Sequence, residues 1–236
     1  MSSARVRFIG VPRHCIGKAD ELPSSRRGSP IQPRPSPSGN LPAYQRINLQ
    51  AAKPMTPQPW KTLSTREIYR NPWIRLREDI AELPNGKTTI YGVCEMNACV
   101  GVLPFVDDEH VVMVRQYRYV FGEGHRWEMP TGGCKPGESP EASAQRELIE
   151  EIGHRAGVLQ HINTHYTSKS VCHEVAHLFI ARDLIRAADD AIAPDDTEFL
   201  EVAILPFADV LKMVLDSEIR DAMTVIAVLW AARQRR

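Results

Sequence analysis

The chain has 236 residues, 29 basic against 29 acidic, and 43% of it is hydrophobic. That length can bury a substantial core in one large domain or two small ones, and no apolar run approaches the roughly 18 residues of a membrane span. Cys15, Cys94, Cys99, Cys134 and Cys172 form an odd set without C-x-x-C pairs, which argues against a disulfide framework and for reduced thiols in a cytoplasmic setting.

Overall neutrality conceals a basic N-terminal stretch. Residues 1–60 hold nine Lys or Arg against Asp20 and Glu21, and ten of the 18 prolines fall within the first 59 residues. A segment such as "SPIQPRPSPSG" buries too little apolar surface to offset its ordering entropy. Residues 1–59 are therefore expected to be a disordered Pro-, Ser- and Arg-rich arm. Three readings of it stand together: a solvated tail, sequence upstream of a natural start at Met55, or a targeting segment rich in Arg and Ser and poor in acids. It lacks the apolar h-region of a secretory signal and the interleaved aromatics of a nucleic-acid binder.

Order is expected from about Trp60. "WIRLREDIAEL" and "KTTIYGV" flank Pro84-Asn85-Gly86 and predict a hairpin, so residues 60–96 form an N-terminal β-hairpin region. "ACVGVLPFV" and "HVVMVRQYRYV" are rich in β-branched residues and too short for helices, which predicts two strands. Gly132, Gly133, Pro136 and Gly137 predict a loop. Ser139 then stands as an N-cap before Pro140 at the first helical position. Ala144, Leu148 and Ile152 supply one apolar stripe, and Gly153 ends the helix. Strands are expected at 161–167, 175–181 and 199–205, with a loop at Pro194, Asp195 and Asp196 before the last of them. "FADVLKMVLDSEI" and "DAMTVIAVLWAARQRR" predict two C-terminal helices.

Within "VCHEVAHLFI" stands His-Glu-x-x-His, which on a helix is a zinc-protease signature. Such a site needs His173 and His177 about 5–6 Å apart on one helical face. The surrounding alternation predicts a buried strand, in which the pair lies about 13 Å apart at ~3.3 Å per residue. A zinc-dependent protease is thus a remote alternative. A different metal site combining these histidines with His161, His165 or Cys172 competes with plain structural roles for them.

A stronger chemical signal lies in the helix of residues 140–153. Glu147, Glu150 and Glu151 share one face at i, i+3 and i+4, where like charges destabilise a helix by ~0.2–0.5 kcal/mol per pair. A solvated acidic face is the bland explanation, and Arg146 relieves repulsion through Glu150 at i+4. A Gly-rich backbone leads directly into this helix. Carboxylates beside backbone carbonyls suit hard divalent cations, above all Mg²⁺, and such a cation neutralises phosphate oxygens and helps generate hydroxide.

Gly132, five residues, Glu138, seven residues, then "RELIEEIG" from Arg146 to Gly153 resembles the Nudix box, G-x5-E-x7-R-E-U-x-E-E-x-G-U, where U is a bulky aliphatic. His154 departs from it at the last aliphatic. The resemblance implies an α/β/α sandwich around a mixed sheet for residues 97–236. It also implies Mg²⁺-dependent hydrolysis, with Mn²⁺ as an alternative metal, of a nucleoside diphosphate linked to another group. It makes Glu147 and Glu151 the main metal ligands, Glu150 an assistant and the Thr131 carbonyl a further donor. Arg146 would orient the glutamates, and Glu138 would support the loop or a second-shell water.

"VRQYRY" and "WEMPTGG" resemble the ADP-ribose and nucleoside-diphosphate-sugar pyrophosphatase branch of that family. The likeness implies Arg115 and Arg118 at phosphates, Trp127 and Glu128 along the nucleotide, and a homodimer built with the N-terminal hairpin. Glu174 stands where this branch carries a glutamate that activates water or binds a further metal. Lys169 and Ser170 replace the Ser-Pro-Gly turn common in ADP-ribose pyrophosphatases, which leaves ADP-ribose, other ADP-sugars, GDP-sugars and related dinucleotides open as substrates. No nucleic-acid or membrane partner is implied. A non-catalytic nucleotide-sensing module is the alternative of another class.

Overall fold

The computed structural model describes residues 58–188 and 199–235. Nearly all of the expected arm, and the loop at Pro194, Asp195 and Asp196, lie outside the described residues.

The first sheet is an antiparallel meander of β1 (Lys61–Arg70), β2 (Ile74–Glu82) and β3 (Thr88–Met96). The β2–β3 hairpin closes where expected: Gly86 donates its N–H to the Leu83 carbonyl at 2.9 Å, and Leu83 donates to Lys87 at 2.8 Å. β1 was not foreseen. All ten of its residues are exposed, so it lacks the alternation that betrays a half-buried strand. Backbone pairing holds it, aided by Arg66–Glu78 at 2.9 Å and Arg75–Glu67 at 2.8 Å.

Further on come β4 (Cys99–Pro104), β5 (His110–Arg118), a 3-10 turn at Tyr119–Phe121, β6 (Glu123–Glu128) and β7 (Thr131–Gly133). Helix α1 (Pro140–Ile152) leads into β8 (His154–Tyr166), the two-residue β9 (Cys172–His173) and β10 (Val175–Arg186). β11 (Glu201–Pro206), α2 (Phe207–Leu215) and α3 (Ala222–Gln234) complete the chain. The second sheet runs β7-β4-β10-β8, and the third runs β11-β5-β6. β10 is parallel to β4 and antiparallel to β8, which makes the second sheet mixed. β9 joins the first sheet beside β3 instead.

Helices cover both faces, so the expected α/β/α sandwich is present. Val100, Val102, Val112 and Phe179 pack with Leu148 and Ile152 of α1. Leu103, Met113, Leu178 and Met129 pack with α2 and α3 through Val210, Ala227 and Val228. Alternate residues of one strand thus feed opposite layers, as a pleat requires.

α1 begins and ends for local reasons. The Ser139 hydroxyl accepts from the Ala142 N–H at 3.2 Å, and Pro140 follows it. Gly153 closes the helix at φ 69°, donating its N–H to Ile149; only glycine adopts that conformation without a Cβ penalty. β8 starts at once at His154, seven residues earlier than the expected His161. His154 fills the position of the missing aliphatic and sets its Nδ1 2.7 Å from the Ile152 carbonyl.

Two short strands were not foreseen: β7 takes up Gly132 and Gly133 of the expected loop, and β6 precedes it. β6 pairs with β5 and β7 pairs with β4. Glycine disguises β7, and β6 shows no apolar alternation to mark it as a strand.

Candidate active site

β7 carries the glycines over which α1 lays its carboxylates. A Cβ on Gly132 would overlap the Glu147 carboxylate. Glycine is therefore required by close approach and not by turn geometry. Glu151 accepts from the Thr131 N–H at 3.3 Å. Glu147 and Glu151 are only 5% and 3% exposed, which is unusual for carboxylates outside a functional or ion-paired setting.

Arg146 fastens this assembly. Its Nη1 donates to Glu147 at 2.6 Å and to Glu150 at 2.7 Å. Its Nη2 donates to the Gly133 carbonyl at 2.8 Å and to Glu138 at 3.0 Å. Glu138 also accepts from the Ser143 hydroxyl at 2.7 Å and the Lys135 N–H at 3.2 Å. Burial opposes the charge on Arg146, but Glu138, Glu147 and Glu150 outweigh it and raise its pKa above the ordinary arginine value. Hydrogen bonding to Arg146, helped by Ser143 and Lys135, holds the Glu138 carboxyl down at about 2. Glu138 is thus an ionised clamp across the physiological range.

The donor chemistry fits a hard divalent cation: three carboxylates on one helical face, beside the β7 backbone. Among the described residues, however, no three His, Cys, Asp or Glu side chains form a ready-made cage. Arg146 instead bridges Glu147 and Glu150.

Glu174 sits between β9 and β10, half-buried. Two residues on, Ala176 pairs with Cys99 of β4, and Cys99 in turn pairs with Gly133 of β7. Glu174 therefore lies along the same sheet end as the carbonyl that accepts from Arg146. Burial first, then the nearby Glu174 carboxylate and Cys134, push the Cys99 thiol up to about 12. Cys99 was not foreseen; nothing in its local sequence marks it.

The proposed substrate-side residues divide into two groups. Arg118 pairs with Glu128 at 2.8 Å and reaches the Thr131 hydroxyl at 3.4 Å, so both touch the β7 region. Glu128 is buried, and burial raises its pKa against the opposing effect of Arg118. Arg115 is held elsewhere: it pairs with Glu201 at 2.7 Å and lies 4.7 Å over the Trp127 ring. It is not brought to the glutamate helix.

The His-Glu-x-x-His match does not lie on a helix. His173 pairs in register with Glu95 of β3, whereas His177 belongs to β10. His177 and His161 both bond the Thr164 hydroxyl, at 3.1 and 2.9 Å, and His165 bonds Asn163 at 3.0 Å. The zinc-protease alternative is overturned by this strand geometry, and none of these groups builds a metal cage among the described residues.

Residues 96–224 match the NUDIX domain, and residues 60–94 match the nucleoside diphosphate sugar hydrolase N-terminal domain. An ADP-ribose pyrophosphatase of Bacillus subtilis is 35% identical over 71% of this chain and 90% of its own length. A methanol dehydrogenase activator of Bacillus methanolicus is 32% identical over 74% of this chain and 93% of its own. A crystal structure of an ADP compounds hydrolase superposes with TM-score 0.66 at 24% identity, covering 76% of this chain and 95% of that one; it supports the fold. With the box helix, its glycine platform and a family match over residues 96–224 in agreement, this protein belongs to the Nudix hydrolase family.

Proposed function

We propose that the protein hydrolyses the pyrophosphate bond of a nucleoside diphosphate joined to a sugar, ADP-ribose or another such compound, giving a nucleoside monophosphate and a sugar phosphate. The observation that carries this reading is the Arg146 clamp, which holds Glu138, Glu147 and Glu150 against the Gly133 backbone. Glu147, Glu150, Glu151 and the Thr131 carbonyl would hold a divalent cation, Mg²⁺ or Mn²⁺. That cation, when bound, neutralises phosphate charge and lowers the pKa of water. Arg118 is positioned to meet a phosphate while Glu128 keeps its guanidinium oriented. Arg115 stacks over Trp127 and pairs with Glu201, away from the glutamate helix. Glu174 takes the proton of the attacking water, with the neutral Cys99 thiol nearby.

The N-terminal sheet supports assembly as a homodimer. Trp60, Leu63, Ile68, Tyr69, Trp73 and Ile90 are all exposed on or beside it, an apolar concentration that isolated domains rarely leave in water. No described helix is long and apolar enough to cross a membrane, and reduced cysteines suit a cytoplasmic enzyme.

The decisive test is purified protein with Mg²⁺ and a panel of ADP-ribose, GDP-mannose and other dinucleotides. Monophosphate should appear, should vanish with chelator, and should be lost in Glu150→Gln and Glu151→Gln. Glu174→Gln should lower kcat by ~10²-fold or more with little change in KM. Nucleotide binding without monophosphate release across the panel would overturn the hydrolase reading in favour of a sensing module.

A further inference from the structure

At the exposed end of β6, opposite the first turn of α3, lies a cavity of about 190 Å³. Trp127 forms one wall, Arg126 and Arg220 contribute guanidinium groups, and Glu128, Arg118 and Asp221 line it as well. Its volume exceeds that of a few waters and is smaller than a whole dinucleotide would fill. The cavity joins the candidate active site directly, because Arg118 also reaches Thr131, whose N–H binds Glu151.

Asp221 is the unexpected member. It caps α3, accepting from the Thr224 N–H at 2.8 Å. Thr224 accepts in turn from the Met129 N–H at 3.0 Å, which bolts the helix to the stretch between Glu128 and Thr131. A serine or asparagine would cap equally well, so capping alone does not explain a carboxylate here. Burial raises the Asp221 pKa even though Arg118 is near, and its charge raises that of Glu128. Two carboxylates are therefore set close together at a desolvation cost, facing one cavity.

The geometry points to this cavity as the subsite for the sugar of the substrate, in place of the nucleotide that the family resemblance sets beside Trp127 and Glu128, with Asp221 as its specificity-determining residue; this rests on the nucleoside-diphosphate-sugar reading above. A sugar ring offers neighbouring hydroxyls that each donate and accept. Ionised carboxylates accept only and guanidinium groups donate only, so alternating Glu128 and Asp221 with Arg126 and Arg220 matches that pattern. Trp127 borders the cavity as well, with Arg115 over its ring. Arg118 stands between sugar and metal helix, where the adjoining phosphate would lie.

The test uses the full chain and two small probes, ribose 5-phosphate and AMP, titrated calorimetrically. Asp221→Asn retains a good helix cap while replacing a charged acceptor. Wild type should bind ribose 5-phosphate, and Asp221→Asn should weaken it by about tenfold or more, the cost of losing a hydrogen bond to a charged group. AMP affinity and Tm should not change. Arg220→Ala, an exposed change that gives up a surface bond to the Ser217 carbonyl, should weaken ribose 5-phosphate in the same direction. Equal ribose 5-phosphate binding in wild type and both variants, absence of binding in wild type, or a loss that falls on AMP instead would each overturn the assignment. Because the probes are not hydrolysed, these outcomes are separate from the activity panel: an inactive wild type refutes the hydrolase reading, whereas an active wild type with unaltered variants refutes only the subsite.

Discussion

Gly132→Ala tests the contact on which the glutamate platform depends. The new Cβ would occupy the space of the Glu147 carboxylate, which must then rotate away. Rotation breaks its 2.6 Å bond to Arg146, a bond between charged groups that contributes about 1.5–3 kcal/mol. Replacing glycine stiffens the unfolded chain and returns about 0.4–1 kcal/mol. The net destabilisation is then about 1–2 kcal/mol, or a fall in Tm of several degrees at ~2–4 °C per kcal/mol. Activity should suffer far more, because Glu147 moves relative to the other carboxylates; a displacement near 1 Å can cost ~10²-fold. Gly133→Ala is the internal control, since a Cβ there meets nothing within 4 Å; its Tm and kcat should stay close to wild type. Thermal melts with steady-state monophosphate release measure both quantities. Wild-type kcat in Gly132→Ala, or equal losses in the two alanine variants, would refute the close-approach reasoning.

Arg146→Ala should destabilise by about 3–5 kcal/mol, because it strands carboxylates that one buried cation now serves; urea denaturation measures it, and a shift below 1 kcal/mol would contradict the clamp. Acid should loosen the same clamp through Glu138, whose pKa is lowered to about 2 from 4.5. Its stabilisation is complete above about 4.5 and is lost as pH falls through about 2. Glu138→Gln should therefore flatten the dependence of Tm on pH within that window, and an unchanged slope would count against it. Ser139→Ala should cost ~1 kcal/mol by loss of the cap alone, with kcat retained.

The box helix was legible in sequence because its determinants are local. Ser139, Pro140 and Gly153 fix its ends, and the 3.6-residue period fixes which face carries Glu147 and Glu151. The strand character of "EVAHLFIA" was equally legible, since its alternation leaves no polar helical face. β1 was not, because a strand whose residues all stay exposed has no burial pattern to read. β7 was hidden by its glycines and β6 by its lack of apolar alternation, and only their pairing with β4 and β5 reveals them. The Cys99–Glu174 contact and the inward turn of Asp221 depend on strand register and helix placement across many residues. An aspartate before "AMTV" signals a cap, but nothing in those letters tells that its carboxylate also faces a cavity.

Glu174 occupies a single-residue splice between two sheets: His173 is in register with β3, and Val175 is in register with β8. The length of chain on either side of it is therefore fixed twice over. Inserting or deleting one residue before Glu174 would unseat β9, and doing so after it would turn every β10 side chain to the opposite face. Sequence length at this point is under the same constraint as residue identity, so in libraries that vary the neighbouring 167–171 turn, substitutions should be recovered freely while length changes between 172 and 176 should not survive.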